Sequence, residues 1–310
     1  MPRRPRRNWQ ADRQPVTPFI ARQERFAQVD STQDVIRAWL AAGTPEVCLA
    51  VADEQAAGRG RSGRTWVAPP GRALLLSLGF RPTWLDPERA WRLAATVSLA
   101  MADAAEDAAG LRDRAIRLKW PNDLVIEDDA PGDGGTGSGG GAVRKLGGVL
   151  GETDGLGTAA PQVVVGIGVN ADWAAGDFPA DLAATMTSLS AASGGRPIHL
   201  AVLLDGFLSR LEARVEALRA GRFDVGDWGA RQLTTGRFVR LEAHGPVAEE
   251  RLAVGVDPAT GALLVADETA PGGERAVHAG EVTRIRLAEA AAAAPAAGAA
   301  AAASGPVAGA

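Results

Sequence analysis

Lysine is nearly absent from this chain. Its 310 residues contain 33 lysines and arginines, and of these only Lys119 and Lys145 are lysine. Arginine is a planar, permanently protonated fork, whereas lysine is a compact point charge on a flexible stem. Lysine kept at two places in an arginine-rich chain marks candidate sites for a tightly held anion; a biased composition is the alternative explanation. Cysteine is scarcer still. A lone Cys48 excludes an internal disulfide framework and a cysteine-rich zinc site, and it fits a reducing, cytoplasmic compartment. It lies in the apolar run Val47-Cys48-Leu49-Ala50-Val51, which reads as a buried strand rather than a nucleophile's setting. The three histidines, His199, His244 and His278, form no metal-spaced pair, so no metal site is assigned. No apolar run reaches membrane-spanning length. The arginine-rich N-terminus is not followed by the apolar segment of a secretory signal. A formal net charge of −4 argues against nonspecific binding of nucleic acid or membrane by the body of the protein.

The length allows a sizeable core and more than one domain. Residues 1–18 interleave Arg3, Arg4, Arg6, Arg7 and Arg13 with prolines and read as a disordered basic arm. Residues 288–310 are almost all Ala, Gly and Pro and read as a disordered tail. Residues 131–141, rich in Gly, Ser and Asp, read as a flexible insertion between two strands. Between the ends, Ser31-x-x-Asp34 resembles a capping box, followed by Val35, Ile36, Trp39 and Leu40 on one helical face and by Gly43 as a stop. Strands are predicted at 47–53, 73–80, 115–119, 123–127, 145–152 and 162–169. Helices are predicted from Asp86-Pro87 to about Ala109 and over 199–220. This alternation describes an α/β domain with a mixed sheet over 19–232. From Arg237 the pattern changes to short runs at 237–243, 247–256, 261–267, 275–279 and 282–287, with a turn at Asp257-Pro258-Ala259-Thr260-Gly261. These describe a small β-barrel over 233–287.

Two glycine-bearing segments carry candidate chemistry. Gly58-Arg59-Gly60-Arg61-Ser62-Gly63-Arg64-Thr65-Trp66 follows the strand at 47–53. Glycines let backbone N–H groups turn inward, and three arginines add fixed positive charge, a composition suited to closing over a phosphate or carboxylate. Trp66 offers a flat surface for a base or ring. A solvated basic loop is the bland reading, which the regular Gly/Arg alternation disfavours. The segment is not a P-loop, since it lacks Gly-Lys-Ser/Thr and a following helix start. The second segment, Val163 to Ala171, contains Gly166-x-Gly168-x-x-Ala171 after a strand. A dinucleotide fold is rejected because Trp173-Ala174-Ala175-Gly176-Asp177-Phe178-Pro179 is not an amphipathic helix. The glycines instead keep a strand open for a ligand, as Gly147-Gly148 can on a neighbouring strand.

Four segments in order resemble the biotin protein ligases: Asp30-Ser31-Thr32; Gln55-x-x-Gly58-Arg-Gly-Arg-x-Gly-Arg64-x-Trp66; Lys119-Trp-Pro-Asn-Asp123 with Arg144-Lys145-Leu-x-Gly-Val-Leu-x-Glu152; and Gly166-x-Gly-x-Asn170. Gly280-Glu281-Val282 is similar to the family's C-terminal domain, and the likeness covers roughly 25–287. The set in this order is specific where no single segment is. The resemblance implies a class II synthetase-like mixed α/β (α+β) catalytic domain that binds biotin and ATP, followed by an SH3-like β-barrel. It implies formation of biotinyl-5′-adenylate with Mg²⁺ assistance, then transfer of biotin to one lysine of the biotin carboxyl carrier domain of a biotin-dependent carboxylase.

The resemblance also implies roles. Ser31, Thr32 and Gln55 would bind the ureido ring of biotin, with Gly58, Gly148 and Gly166 shaping that site. Arg59 and Arg61 would fold over the acyl-adenylate. Lys145 would hold carboxylate and α-phosphate together. Arg64, Trp66, Lys119, Asn122 and Asn170 would serve the nucleotide, Asn170 at the adenine edge. Asp123 would accept the proton of the incoming lysine amine, so that Lys145, Arg61 and Asp123 form the catalytic set. Gln33 stands where the family more often has Asn and receives no role. The 24 residues before residue 25 are too few for a helix-turn-helix domain, so the form without operator binding is expected, as a monomer or weak homodimer. A lipoate or octanoate ligase shares the architecture, and the Gly-Arg-Gly-Arg loop argues against it. A non-catalytic biotin-binding module is the third reading, and Lys145, Arg61 and Asp123 argue against that. Scarce lysine gains a second meaning here, because an enzyme holding a lysine-reactive acyl-adenylate is spared self-labelling if its surface lacks lysine.

Overall fold

The computed structural model describes residues 19–128, 141–242, 249–278 and 281–287. The basic arm, residues 131–140 of the insertion and the alanine-rich tail lie outside the described residues. Seven strands build the larger sheet: β1 Arg22–Phe26, β2 Cys48–Ala52, β3 Ala73–Phe80, β4 Ile116–Lys119, β5 Asp123–Glu127, β6 Val143–Asp154 and β7 Gln162–Asn170. Their order is β1-β2-β3-β7-β6-β5-β4. The β1–β2 pair is parallel and the others are antiparallel. Helices α1 Thr32–Ala41, α2 Trp91–Ala109, α3 Leu189–Ala192, α4 Leu200–Arg219 and α5 Val225–Ala230 complete this unit. The expected barrel is a five-stranded antiparallel sheet of β8 Arg237–Glu242, β9 Glu249–Val256, β10 Leu263–Ala266, β11 Glu274–Val277 and β12 Glu281–Leu287, ordered β11-β10-β9-β8-β12.

Side-chain alternation sorts the large sheet into two faces. Val47, just before β2, and Leu49 and Val51 of β2 join the main core with Leu93, Val97 and Met101 of α2 and Phe207 and Leu211 of α4. Cys48 and Ala50 point the other way, against Ile36, Trp39 and Leu40 of α1. With both faces covered, β2 reads as a continuous apolar run. Burial pushes the Cys48 thiol up to about 11, which agrees with a structural rather than a nucleophilic cysteine. On β7, Val163, Val165, Ile167 and Val169 face the main core, and Val164 packs in the α1 cluster. Gly166, Gly168 and Asn170 therefore share the α1 face.

Two local expectations are corrected. Ser31 is the N-cap of α1 with an extended backbone but makes no side-chain capping hydrogen bond, and Asp34 turns outward to arginines, so no capping box forms. The Asp86-Pro87 start is a separate 3₁₀ turn, Pro87–Arg89, in which Asp86 accepts from the Glu88 N–H at 3.0 Å before α2 begins at Trp91. Three elements were not predicted, β1, the four-residue α3 and α5. β1, Arg-Gln-Glu-Arg-Phe, lacks an apolar alternation and exists through its pairing with β2. α5 has six residues, too few for a periodic signal.

Among the described residues Arg231 is the largest fully buried side chain, at 1% exposure. Its guanidinium donates to Glu106 at 2.8 and 3.0 Å, to Asp103 at 2.6 Å and to the Ile116 carbonyl at 2.9 Å. The network pins α2, β4 and the chain leaving α5 together. Removing one member of a buried hydrogen-bonded ion pair leaves its partners desolvated and unpaired. Arg231→Ala is expected to lower unfolding stability by about 3–5 kcal/mol, measured by equilibrium denaturation; a loss under about 1 kcal/mol would contradict this reading.

Candidate active site

A cavity of about 260 Å³ opens on the α1 face of the sheet. The floor comes from β3, β6 and β7, whose cavity-facing positions are small: Ser77, Gly148, Gly166 and Gly168. Space at Gly168 is needed, because a Cβ there would sit 2.7 Å from the Trp66 indole. One end of the cavity is polar and neutral. The Thr32 N–H and hydroxyl reach Gln55 Oε1 at 2.8 and 3.0 Å, and the Thr32 hydroxyl lies 2.7 Å from that of Ser77. Because Gln55 Oε1 is thus engaged, its amide nitrogen remains as the donor for a ligand. Ser31 and Gln33 also line this end, the latter donating to the Leu150 carbonyl at 3.2 Å.

The other end is cationic. Arg59, Arg61, Arg64, Lys119 and Lys145 line the cavity, and Asp123 is the carboxylate among its lining residues. Lys145 Nζ sits 2.6 Å from Asp123 Oδ1 and 5.6 Å from the centre of the Trp66 ring. A β-bulge brings this pair about. Asp123 stands opposite Gly148 and Leu124 opposite Gly147, but Val125 stands opposite Lys145, so Leu146 is an extra residue. Leu146 enters the main core. The parity of β6 shifts there, and Lys145 emerges on the same face as Gly148; re-aiming a side chain is a common use of a bulge. The Lys145 backbone is then held from the other side, its N–H on the Thr185 carbonyl at 2.7 Å and its carbonyl receiving the Thr187 N–H at 2.9 Å. Lys119 faces Asp123 across the β4–β5 hairpin. Burial lowers the Lys119 pKa; Asp123 opposes that shift, and Lys145 and Arg64 add to it. Burial likewise lowers the Arg61 pKa, with Asp123 opposing and Arg64 adding. Both shifts record chiefly the withdrawal of positive charge from water.

The arginine loop is a short hairpin. Gly60 N–H bonds the Arg64 carbonyl at 2.7 Å and Trp66 N–H bonds the Gly58 carbonyl at 2.9 Å. The tip turns through Ser62 and Gly63, both in the left-handed region. Arg59 is drawn to α1, contacting Asp34 at 2.8 and 3.1 Å, with Glu152 3.9 Å away. The hydrogen bond from Arg59 holds the Asp34 carboxyl below its usual range, against the opposing effect of burial, with Arg37 assisting.

Residues 25–170 match the model of the biotin/lipoate A/B protein ligase family. A biotin--[acetyl-CoA-carboxylase] ligase of Mycobacterium tuberculosis is 32% identical over 222 residues, which is 71% of this chain and 74% of that protein. The chain belongs to the biotin/lipoate A/B protein ligase family. The bifunctional ligase/repressor BirA of Bacillus subtilis is 32% identical over 166 residues, 54% of this chain; the match spans 45% of that relative, under half its length. The fold resembles that of the Aquifex aeolicus biotin protein ligase in complex with biotin and ATP, at 24% identity and a TM-score of 0.66, covering 86% of this chain and 99% of that one.

Of the family-type residues named from the sequence, Ser31, Thr32, Gln55, Arg59, Arg61, Arg64, Trp66, Lys119, Asn122, Asp123, Lys145, Gly148 and Gly166 meet in this cavity. Two do not line it. A Cβ on Gly58 would lie 2.5 Å from the Trp66 carbonyl oxygen, so Gly58 closes the loop's hairpin rather than facing a ligand. Asn170 is fully buried; its amide nitrogen donates to the Thr187 carbonyl at 3.1 Å, while Oδ1 has no partner among the described residues. Sequence reasoning missed Ser77, Leu182 and Met186 and left Gln33 without a role. Ser77 had a signal, a lone hydroxyl within the leucine run of β3. Leu182 and Met186 had none, because they reach the rim through the non-periodic segment that pairs with Lys145.

Asp34→Asn is expected to loosen the arginine loop and speed tryptic cleavage at Arg59, Arg61 and Arg64 by about two- to five-fold, the range of an exposed ion pair. The Asp34 contribution is in place above the ordinary aspartate pKa of about 4 and fades as pH falls through its lower folded value. High salt should bring wild type toward the variant. Equal cleavage of both proteins at low salt and neutral pH would refute the latch.

Proposed function

We propose that this protein is an ATP-dependent biotin protein ligase. The observation that carries the proposal is the polarity of one cavity: a neutral hydrogen-bonding end at Ser31, Thr32 and Gln55 faces an end with five cations and one carboxylate. Biotin matches that gradient, with a ureido ring of donors and acceptors at one end and a carboxylate at the other. In the first step a biotin carboxylate oxygen attacks the α-phosphorus of ATP and the bond to pyrophosphate breaks. Two anions must approach, and Lys145 with Arg59 and Arg61 would offset their repulsion. The product is the mixed anhydride biotinyl-5′-adenylate. In the second step the acceptor lysine amine attacks the acyl carbon, AMP leaves, an amide forms, and Asp123 takes the amine proton. The arginine loop over the cavity would shield the anhydride from water.

The nucleotide would enter as MgATP. No group of three or more metal-ligating side chains occurs among the described residues; phosphate oxygens and water would supply most of the ion's ligands, the usual arrangement for magnesium. The unpaired Asn170 Oδ1 would accept from the adenine amino group, which requires Trp66 to move off Gly168. The acceptor would be the carrier domain of a biotin-dependent carboxylase. Lipoate is the competing substrate, and its dithiolane has no N–H to satisfy the polar end, so pyrophosphate release should respond to biotin and not to lipoate.

The decisive measurement is mass spectrometry of a carboxyl carrier domain after incubation with this protein, biotin and MgATP; an unmodified domain would remove the proposal. Lys145→Ala is expected to slow biotin-dependent pyrophosphate release by about 10²–10³-fold. Asp123→Asn is expected to slow transfer from the adenylate by about 10²-fold or more. Both lysines of the chain lie in the cavity, so the enzyme incubated alone with biotin and MgATP should label itself little. Surface Arg→Lys variants should label themselves measurably, and equal labelling would show that the lysine scarcity is compositional.

A further inference from the structure

We infer that Trp120 is a positioning residue, through which the small β domain fixes the Lys119–Asp123 turn at the edge of the cavity. The inference rests on the ligase reading and adds a role for the β domain. Trp120 follows Lys119 and precedes Pro121, Asn122 and Asp123, yet its own side chain belongs to another core. It is 5% exposed and packs among Val239, Leu241, Ala253, Leu263, Val265 and Val277 of the β domain. Its indole N–H donates to the Gly261 carbonyl at 3.1 Å. The Asp257–Gly261 turn that supplies this acceptor is itself docked on α2, where Trp91 donates to the Ala259 carbonyl at 3.1 Å and Arg92 to the Pro258 carbonyl at 3.0 Å. Gly261 has a φ of +74°, and a Cβ there would lie 2.8 Å from the Trp91 ring. The β4–β5 hairpin is gripped again at its far end, where Arg237 makes two 2.8 Å bonds to Glu127.

Between these two grips stand the groups assigned to proton and phosphate. The Asn122 amide donates to the Val149 carbonyl at 3.0 Å, Asp123 pairs with Lys145 at 2.6 Å, and Lys119 lies across the hairpin from Asp123. The turn is therefore attached to the catalytic sheet on one side and to the β domain on the other. If the β-domain attachment slackens, the Asp123 carboxylate moves relative to the acyl carbon. A proton acceptor works only within hydrogen-bond reach of the attacking amine, and a misplacement near 1 Å can cost about 10²-fold in rate.

The test uses the full chain and separates the half-reactions. Trp120→Phe keeps apolar volume in the β-domain core but deletes the indole N–H. Gly261→Ala alters the acceptor turn; Gly261 itself does not line the biotin cavity and reaches it only through Trp120. Each variant is titrated by the amplitude of biotinyl-adenylate formed per enzyme, which counts folded active sites. It is then followed in single-turnover transfer to a carrier domain. Expected are burst amplitudes and biotin KM within about two-fold of wild type, with transfer rate constants down by about 10- to 100-fold. Transfer rate constants within two-fold of wild type in the folded variants would overturn the inference. So would an amplitude that falls with the folded fraction while the rate constant holds, since that is pure packing. Should Trp120→Phe fail to fold, Gly261→Ala decides on the same criterion. Wild-type protein that shows no adenylate burst overturns the ligase reading itself, and this inference with it.

Discussion

Like charges repel, and this protein lines one cavity with five of them and one carboxylate, with Asp34 behind Arg59. That arrangement costs stability wherever the charges are withdrawn from water, and the lowered pKa values of Lys119 and Arg61 record the cost. Much of the surrounding structure holds those groups in place. Arg59 is anchored on α1 through Asp34. Lys145 is fixed by Asp123 through its side chain and by residues 185–187 through its backbone. The sheet beneath contributes glycines and one serine, which take up little space and add no further charge.

Precision at such a site comes from the elements behind it. The main core of α2, α4 and the sheet makes the platform stiff, and the buried Arg231 network joins that platform to the chain entering the β domain. The β domain reaches back through its Asp257–Gly261 turn to Trp120, so the two units share a side chain as well as a linker. A boundary near residue 232 divides the sequence patterns cleanly. The packing crosses it, since Trp120 lies far upstream in the chain but is buried downstream.

The low lysine count also takes on a structural meaning. On the proposed ligase reading, an amine-reactive anhydride would threaten the protein that makes it, and both lysines stand inside the cavity, Lys119 half-buried and Lys145 paired with a carboxylate. Arginine keeps the surface charged and soluble while remaining protonated, and a guanidinium in that state is no nucleophile.

The sequence by itself determined the elements with strong periodicity and most of the residue types that meet in the cavity. β3, β5, β7 and α4 were legible to within a residue because their apolar alternation is local, and the arginine loop and the Lys119–Asp123 segment were legible because charge and glycine follow one another in the chain. β1, α5 and the rim residues Leu182 and Met186 were not, since each depends on a neighbour distant in sequence. The failed capping box at Ser31 belongs with them: a distant Arg59 competes for Asp34, and local spacing cannot report that contest. Tertiary structure alone decided which face of the sheet each group occupies. The extra residue at Leu146 shifts the parity of β6 and turns Lys145 into the cavity, and a bulge is defined by the partner strand rather than by the strand that carries it. Facing Asp123 across that bulge is therefore a property of the paired strands, written in neither segment read singly.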